Sequence, residues 1–353
     1  MTRRSMVLST LAFLGCLLTA VVLLRWRVVQ QLLSRPGGNT VLPASYAAPA
    51  LAKERARVVL LTGGTPQRLV EEALARVGAA ELLGVRGKTV LVKPNIVSGT
   101  PAPTTTSAEV VRAVCDWLKQ QGAKTVWVGD MSAVMTLGTR YSMKESGIEA
   151  AVRAAGATPV YFEDGGWVKT ALPGGRYIKE VPISEYVAKA DVVINLPVMK
   201  SHRWATYSVC MKNFVGATHG RYRPYMVDRE HWEEIIPELN LAYRPALNLV
   251  DGTRVMYSGG PWRGDEAPLG LVLAGTDRVA CDAVAVALMK TFPGTHERIA
   301  DRGVWQQKQL RHAIEIGLGI DGPGSLDLSV EHLEPPPADL HKRLTEMRRL
   351  LSA

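Results

Sequence analysis

The sequence predicts an α/β domain, with a mainly parallel, doubly wound sheet and helices on both faces, preceded by one N-terminal transmembrane helix. Three observations carry this. From Arg57 onward, short apolar runs alternate with segments of helical periodicity. Those runs are nearly continuous, as in VVLL from Val58, TVLV from Thr89 and VVINL from Val192, which suits strands covered on both faces. Ahead of them, Met6–Leu24 contains no charged residue and approaches the ~20 residues that a helix needs to cross a bilayer.

The leader comes first. Arg3 and Arg4 precede the apolar run, and Arg25 and Arg27 follow it directly. A long core with an Arg-Trp-Arg flank favours an uncleaved anchor over residues 1–27 rather than a cleaved signal. The positive-inside rule gives no clean orientation, since basic residues stand on both sides. Thr2–Leu8 looks like a loose twin-arginine export signal and reads equally as an ordinary basic flank. The expectation is a single-pass membrane protein whose globular domain is extracytoplasmic. Residues 28–56, with Pro36-Gly37-Gly38 and an Ala/Pro-rich patch, read as a tether.

The body, 57–353, predicts strands at Val58–Leu61, Thr89–Val92, Thr125–Val128, Pro159–Phe162, Val192–Leu196, Leu247–Val250 and Leu271–Ala274. Helical spacing covers Pro66–Val77, a helix opened by Ser107 as N-cap, Ile148–Ala155, Glu185–Ala190, Val279–Lys290, Trp305–Ile316 and Leu340–Leu350. Residues 212–234 break this rhythm with Arg, His and Tyr and little periodicity. Such an insertion reads as a lid or binding loop.

The net charge of +9 is misleading until it is located. Residues 1–60 hold eight Lys and Arg against Glu54 alone, leaving only +2 for the rest. A nucleic-acid-binding body is therefore not expected. The four cysteines form no C-x-x-C pair, so no iron–sulfur ligands are evident. His202, His219, His231 and His296 lack ligand spacing, so they suggest no zinc site and no metal ligands are assigned.

Ligands in open α/β sheets sit beyond the carboxyl ends of the strands. Lys93 and Asn95 end one apolar run, and Asn195, Lys200 and His202 follow another. Residues two apart in extended backbone share a side, so each strand end presents a paired set. Lys93, Lys200 and Lys212 converging on one cleft would bind a small anion, with Asn95 and Asn213 orienting a carboxylate or phosphate. Crowding and burial would lower a lysine pKa, and His202 would move protons. Asp130, Asp251 and Asp277 each follow a strand; they could pair with the lysines, hold a cation or act as a base. Asp251 joins Lys200 and His202 as the catalytic set. Thr104 and Thr105 precede a helix start, where an anion can be received. Asp130 and Gly216 complete the ligand-binding set.

The series Val92-Lys93-Pro94-Asn95, Lys200-Ser201-His202, Met211-Lys212-Asn213-Phe214-Val215-Gly216, Val250-Asp251-Gly252 and Ala274-Gly275-Thr276-Asp277 resembles the DUF362 family. The resemblance covers roughly residues 57–320 and implies one large α/β domain. Its bacterial and archaeal members often carry export signals or append a cysteine-rich iron–sulfur module, which this chain lacks. The family implies no established substrate or mechanism, and the cofactor is left open. Two classes of function stay open: an enzyme on a small anionic substrate or with an anionic cofactor, and a non-catalytic anion-binding or assembly factor for a membrane partner. A redox accessory protein without its cluster module is a third.

Overall fold

The computed structural model of the chain describes residues 55–353 apart from positions 135 and 137. The expected anchor and all but the last two positions of the expected tether lie outside the described residues. Among the described residues no helix is long and apolar enough to cross a membrane.

Among the described residues twelve strands follow one another: β1 (Ala56–Thr62), β2 (Thr89–Pro94), β3 (Thr125–Asp130), β4 (Thr158–Tyr161), β5 (Trp167–Ala171), β6 (Glu180–Ser184), β7 (Val192–Leu196), β8 (Val198–His202), β9 (Thr206–Ser208), β10 (Leu247–Met256), β11 (Glu266–Gly275) and β12 (Leu326–His332). Ten of them build one sheet in the order β12-β1-β11-β10-β7-β2-β3-β4, with β8 paired to β10 and β9 to β8; β5 and β6 form a separate hairpin. The run β10-β7-β2-β3-β4 is parallel throughout. β11 is antiparallel to both its neighbours, β10 and β1. The sheet is therefore mixed, mostly parallel, with its reversal made by β10 and β11 folding back on each other as a hairpin.

Alternation along the strands divides the core in two. Val58 and Leu60 of β1 face one side with the helices Arg278–Lys290, Trp232–Leu239, Lys308–Glu315 and Ala338–Leu351. Val59 and Leu61 face the other, with Pro66–Arg76, Ala108–Gln120 and Ile148–Ala154. Each fully buried Val or Leu adds about 1.5–3 kcal/mol over its exposed state, so both faces must be covered. Local chemistry starts the helices. Pro66 occupies a first-turn position behind the Thr65 hydroxyl, which accepts from Arg68 N. Asp277 accepts from Ala280 N at 2.8 Å, as its place ahead of an apolar helix predicts.

The parallel strands point their carboxyl ends the same way. β2 finishes on Lys93-Pro94, β3 on Gly129-Asp130, and β7 runs through Pro197 directly into β8, which carries Lys200 and His202. β9 opens on Thr206 at φ +67°, a conformation that β-branched residues avoid. Its hydroxyl donates to Glu233 at 2.7 Å.

Candidate functional site

Beyond those strand ends lies a cavity of about 770 Å³. Asn95, Asp130, His202, Lys212, Asn213 and Gly216 line it, together with Arg223 and four aromatic side chains. The sequence-predicted set divides into a buried brace, a few cavity-facing groups, and residues used elsewhere.

Lys93 and Asp130 form the brace. Their ion pair is 2.6 Å long, and both side chains are buried. Asp130 also accepts from the backbone amides of Ile96 and Met131, at 2.8 and 2.9 Å. Lys93 donates further to Asn213 Oδ1 and to the Pro94 carbonyl. Burial pulls the Lys93 ammonium below its ordinary value, with Asp130 opposing. Gly216 is needed here: a Cβ at this position would lie 2.0 Å from Asp130 Oδ1.

A line of amides crosses the strand ends. Asn95 Nδ2 donates to Asn213 Oδ1, Asn213 Nδ2 to Asn195 Oδ1, and Asn195 Nδ2 to Asn248 Oδ1. Asn248 then donates to the carbonyls of Gly275 and Thr276. Lys200 joins at the other end, donating to Asn95 Oδ1 at 3.0 Å and to the Thr104 carbonyl at 2.6 Å. It is fully buried, and burial, followed by the charge of Lys212, drives its pKa well down. Such a satisfied buried network fixes geometry rather than offering donors.

Lys212 differs. It lines the cavity and makes no hydrogen bond or ion pair among the described residues. Burial, and after it the charges of Arg223 and Lys93, lowers its pKa to about 7. Arg223 stands beside it, its guanidinium donating to the carbonyls of Ser132 and Met131 at 2.9 and 2.8 Å while Nε has no hydrogen-bond partner. Four residues of helix, Cys210–Asn213, carry Lys212. Asp282 holds that turn by accepting from the amides of Cys210 and Met211, and burial raises its own pKa to about 7.

His202 lines the cavity with its Nδ1 accepting from the amides of Ala205 and Trp204, at 3.1 and 3.3 Å. That leaves the proton on Nε2. Burial, then Lys212 and Lys200, hold the imidazole well below its usual pKa, so it is neutral at pH 7. It can donate from Nε2, and it does not carry a second proton there.

Besides Lys93 and Lys200, the predicted residues Asp251, Thr104, Thr105 and Asp277 also lie away from the cavity lining. Asp251 is buried on β10, accepting from Ser107 N at 2.7 Å and from the amide and hydroxyl of Thr253. It thus does at the start of Ala108–Gln120 what the Ser107 side chain, which makes no capping bond, was expected to do. Thr104 donates to the Trp262 carbonyl and Thr105 to the Ser98 carbonyl. The amides of Thr106 and Ser107 are also occupied, by the Asn95 carbonyl and Asp251. The helix start therefore has no free amides at Thr106 and Ser107 for an anion. Asp277 serves as a cap, tied also to Ile320 N at 2.9 Å.

Sequence reasoning missed the aromatic wall and Arg223. Trp204, Tyr225, Trp232 and Trp262 line the cavity. Two of them, with Arg223, lie in the irregular segment 212–234, whose Arg- and Tyr-rich composition was the available signal. No group of three or more His, Cys, Asp or Glu able to hold a metal occurs among the described residues.

Fold and site together define an α/β protein with a charged, aromatic-walled cavity at the carboxyl ends of its parallel strands. A family model described as a domain of unknown function, DUF362, matches residues 90–287, and the chain belongs to that family. A thylakoid-associated protein of Synechocystis sp. is 29% identical over 216 residues, 59% of this chain and 65% of that protein's length. The match thus spans just under two thirds of the curated relative. A solved lactate racemase apoprotein from Thermoanaerobacterium thermosaccharolyticum superposes with a TM-score of 0.40 at 11% identity, over 85% of this chain and 88% of the other.

Proposed function

We propose that this chain binds a small organic anion, a carboxylate or phosphate, in the cavity at the strand ends and acts on it as an enzyme. Lys212 and Arg223 take the charge. Lys93 with Asp130, and Lys200 with the asparagine line, hold the floor rigid. His202 donates a hydrogen bond from Nε2. An amine titrating near 7 exchanges protons readily at physiological pH, which suits Lys212 to acid–base work. The observation that carries the reading is a lysine in a cavity, beside an arginine, with no ion-pair partner among the described residues, the nearby Asp130 being taken by Lys93.

Calorimetric titration of the full chain with simple carboxylates and inorganic phosphate tests it. Lys212→Met is expected to weaken the best binder at least ten-fold, and equal affinity in the two proteins would overturn the assignment.

A second reading is a non-catalytic anion-binding or assembly factor. It is favoured by the full engagement of Lys93, Lys200 and Asp251, which leaves few groups free to move protons. Consumption of a bound anion by the purified chain supports the enzyme; binding without consumption supports the second reading. Iron in the purified protein would revive a redox role. The run Met6–Leu24 would tether the body to a membrane on its extracytoplasmic side, and protease accessibility in intact cells and spheroplasts checks that placement.

A further inference from the structure

We infer that the anion taken by this cavity carries a planar ring, seated against the indole of Trp204, with its acid group at Lys212 and Arg223. The inference rests on the anion reading above and supplies the other half of the ligand.

Charge is distributed unevenly over the cavity. Arg298 and Arg302 face Glu233 at 3.5 and 3.7 Å, and Lys308 faces Glu234 at 3.3 Å. These outer cations have carboxylate partners. Lys212 has none among the described residues, and Arg223 donates only to carbonyls. Arg229 also lines the cavity but is exposed to water, so the acid group is directed to the more deeply set Lys212 and Arg223.

The opposite chemistry is built into the wall. Trp204 is 47% exposed although it is one of the largest apolar side chains in the chain. It stacks on Trp232, with ring centroids 5.8 Å apart and planes 16° from parallel, and meets Trp262 edge-on at 6.5 Å and 83°. Tyr225 and His202 pack on Trp232 at 5.5 and 5.7 Å. These rings arrive from three separate parts of the sequence, so their assembly is a property of the folded cavity. Their backbone is pinned as well. Trp204 N donates to His202 Nδ1, Arg298 donates to the Trp204 carbonyl, and Thr104 donates to the Trp262 carbonyl.

A large indole left open in a fixed stack is a surface for another flat ring, which gains from face-to-face or edge-to-face contact beyond simple burial. An aliphatic acid of two or three carbons needs no such wall and would leave most of the 770 Å³ unfilled.

The test uses the full chain and calorimetry with three probes: 2-naphthoate, 2-naphthyl phosphate, and the saturated decahydro-2-naphthoate as a non-planar acid of similar size. At least one aromatic probe is expected to bind ten-fold or more tightly than the saturated acid, and the better of the two tells carboxylate from phosphate. Trp204→Ala should bring the aromatic and saturated acids to within two- to three-fold of each other, and Trp204→Phe should restore most of the difference. Lys212→Met should weaken both acids alike. Equal binding of aromatic and saturated acids, reduced by Lys212→Met, would overturn the ring and leave the anion reading standing. No binding of any probe at millimolar concentration, or binding unchanged by Lys212→Met, would overturn both.

Discussion

Lys212 changes its charge near neutrality, since burial lowers its pKa from the ordinary 10.5 to about 7. Below about 7 the amine is charged and an anion is held; above it the attraction fades. Affinity for an anionic ligand is therefore expected to fall as pH rises from 6 to 8.5, measured by calorimetry, and Lys212→Met should flatten the profile. Stability runs the other way. Between about 7 and 10.5 the unfolded chain binds the proton that the folded chain has lost, so the Lys212 contribution to stability rises with pH across that window. Gly216 gives a second prediction at this scale. A Cβ there would meet the Asp130 oxygen at 2.0 Å and push the carboxylate off Lys93. Breaking a buried pair costs about 3–5 kcal/mol, so Gly216→Ala should lower the denaturation midpoint sharply, and an unchanged midpoint would show that Asp130 has room to move. Single residues were only partly legible in the sequence. Lys93 and Asn95, two apart at a strand end, do reach one partner, Asn213 Oδ1. Of the aspartates expected to meet a lysine, Asp130 does; Asp251 and Asp277 bond backbone amides instead, because each precedes or faces a helix start whose N–H groups compete for the carboxylate.

Among the elements, the helix Cys210–Asn213 does not stabilise itself, because one turn of helix fixes more backbone than it gains in bonds. Asp282, reaching from Arg278–Lys290, supplies the missing acceptors. Its pKa, raised from 3.8 to about 7 by burial, means that the folded chain binds a proton the unfolded chain has released between those values. The Asp282 contribution to stability is thus greatest below about pH 4 and is lost as pH rises through about 7. Asp282→Asn should remove the Asp282 component of that slope, so urea titrations at pH 5 and pH 8 should show a smaller loss of stability on raising the pH than in the parent chain. Asp282→Ala, which removes both acceptors, should speed hydrogen exchange at the Cys210 and Met211 amides and loosen the Lys212 turn. Protection unchanged in the alanine variant would assign the turn's stability to packing instead. This turn and the strands β8 and β9 were not legible as elements. Their periodicity is overwritten by the polar side chains Lys200, His202, Thr206 and Lys212, and short elements that carry such groups lose the alternation that would mark them. The helices Arg278–Lys290 and Ala108–Gln120 were legible, since long apolar runs and a capping position outweigh any one residue.

Across the whole molecule, the parallel half was readable from continuous apolar runs, and the antiparallel pairing of β10 with β11 was not. Both strands extend well beyond their apolar parts, through Arg254–Met256 and Glu266–Pro268, so the sequence marks two separate short strands where the chain forms one hairpin. Direction in a sheet is set by such connections, which side-chain pattern leaves unspecified. The cavity nevertheless draws on both halves of the core: Ile96 belongs to the layer under Ala108–Gln120, while Met131 and Val215 belong to the layer under Arg278–Lys290. A ligand touching both layers should stabilise them as one unit. Unfolding of the full chain in urea, followed by tryptophan fluorescence and by circular dichroism, is expected to give one coincident transition. Ligand at one hundred times its dissociation constant should then move the midpoint upward, adding about 2.7 kcal/mol, with the slope unchanged because the surface exposed on unfolding is the same. Two transitions, of which ligand shifts only one, would place the cavity within a single layer and refute its description as a joint product of both.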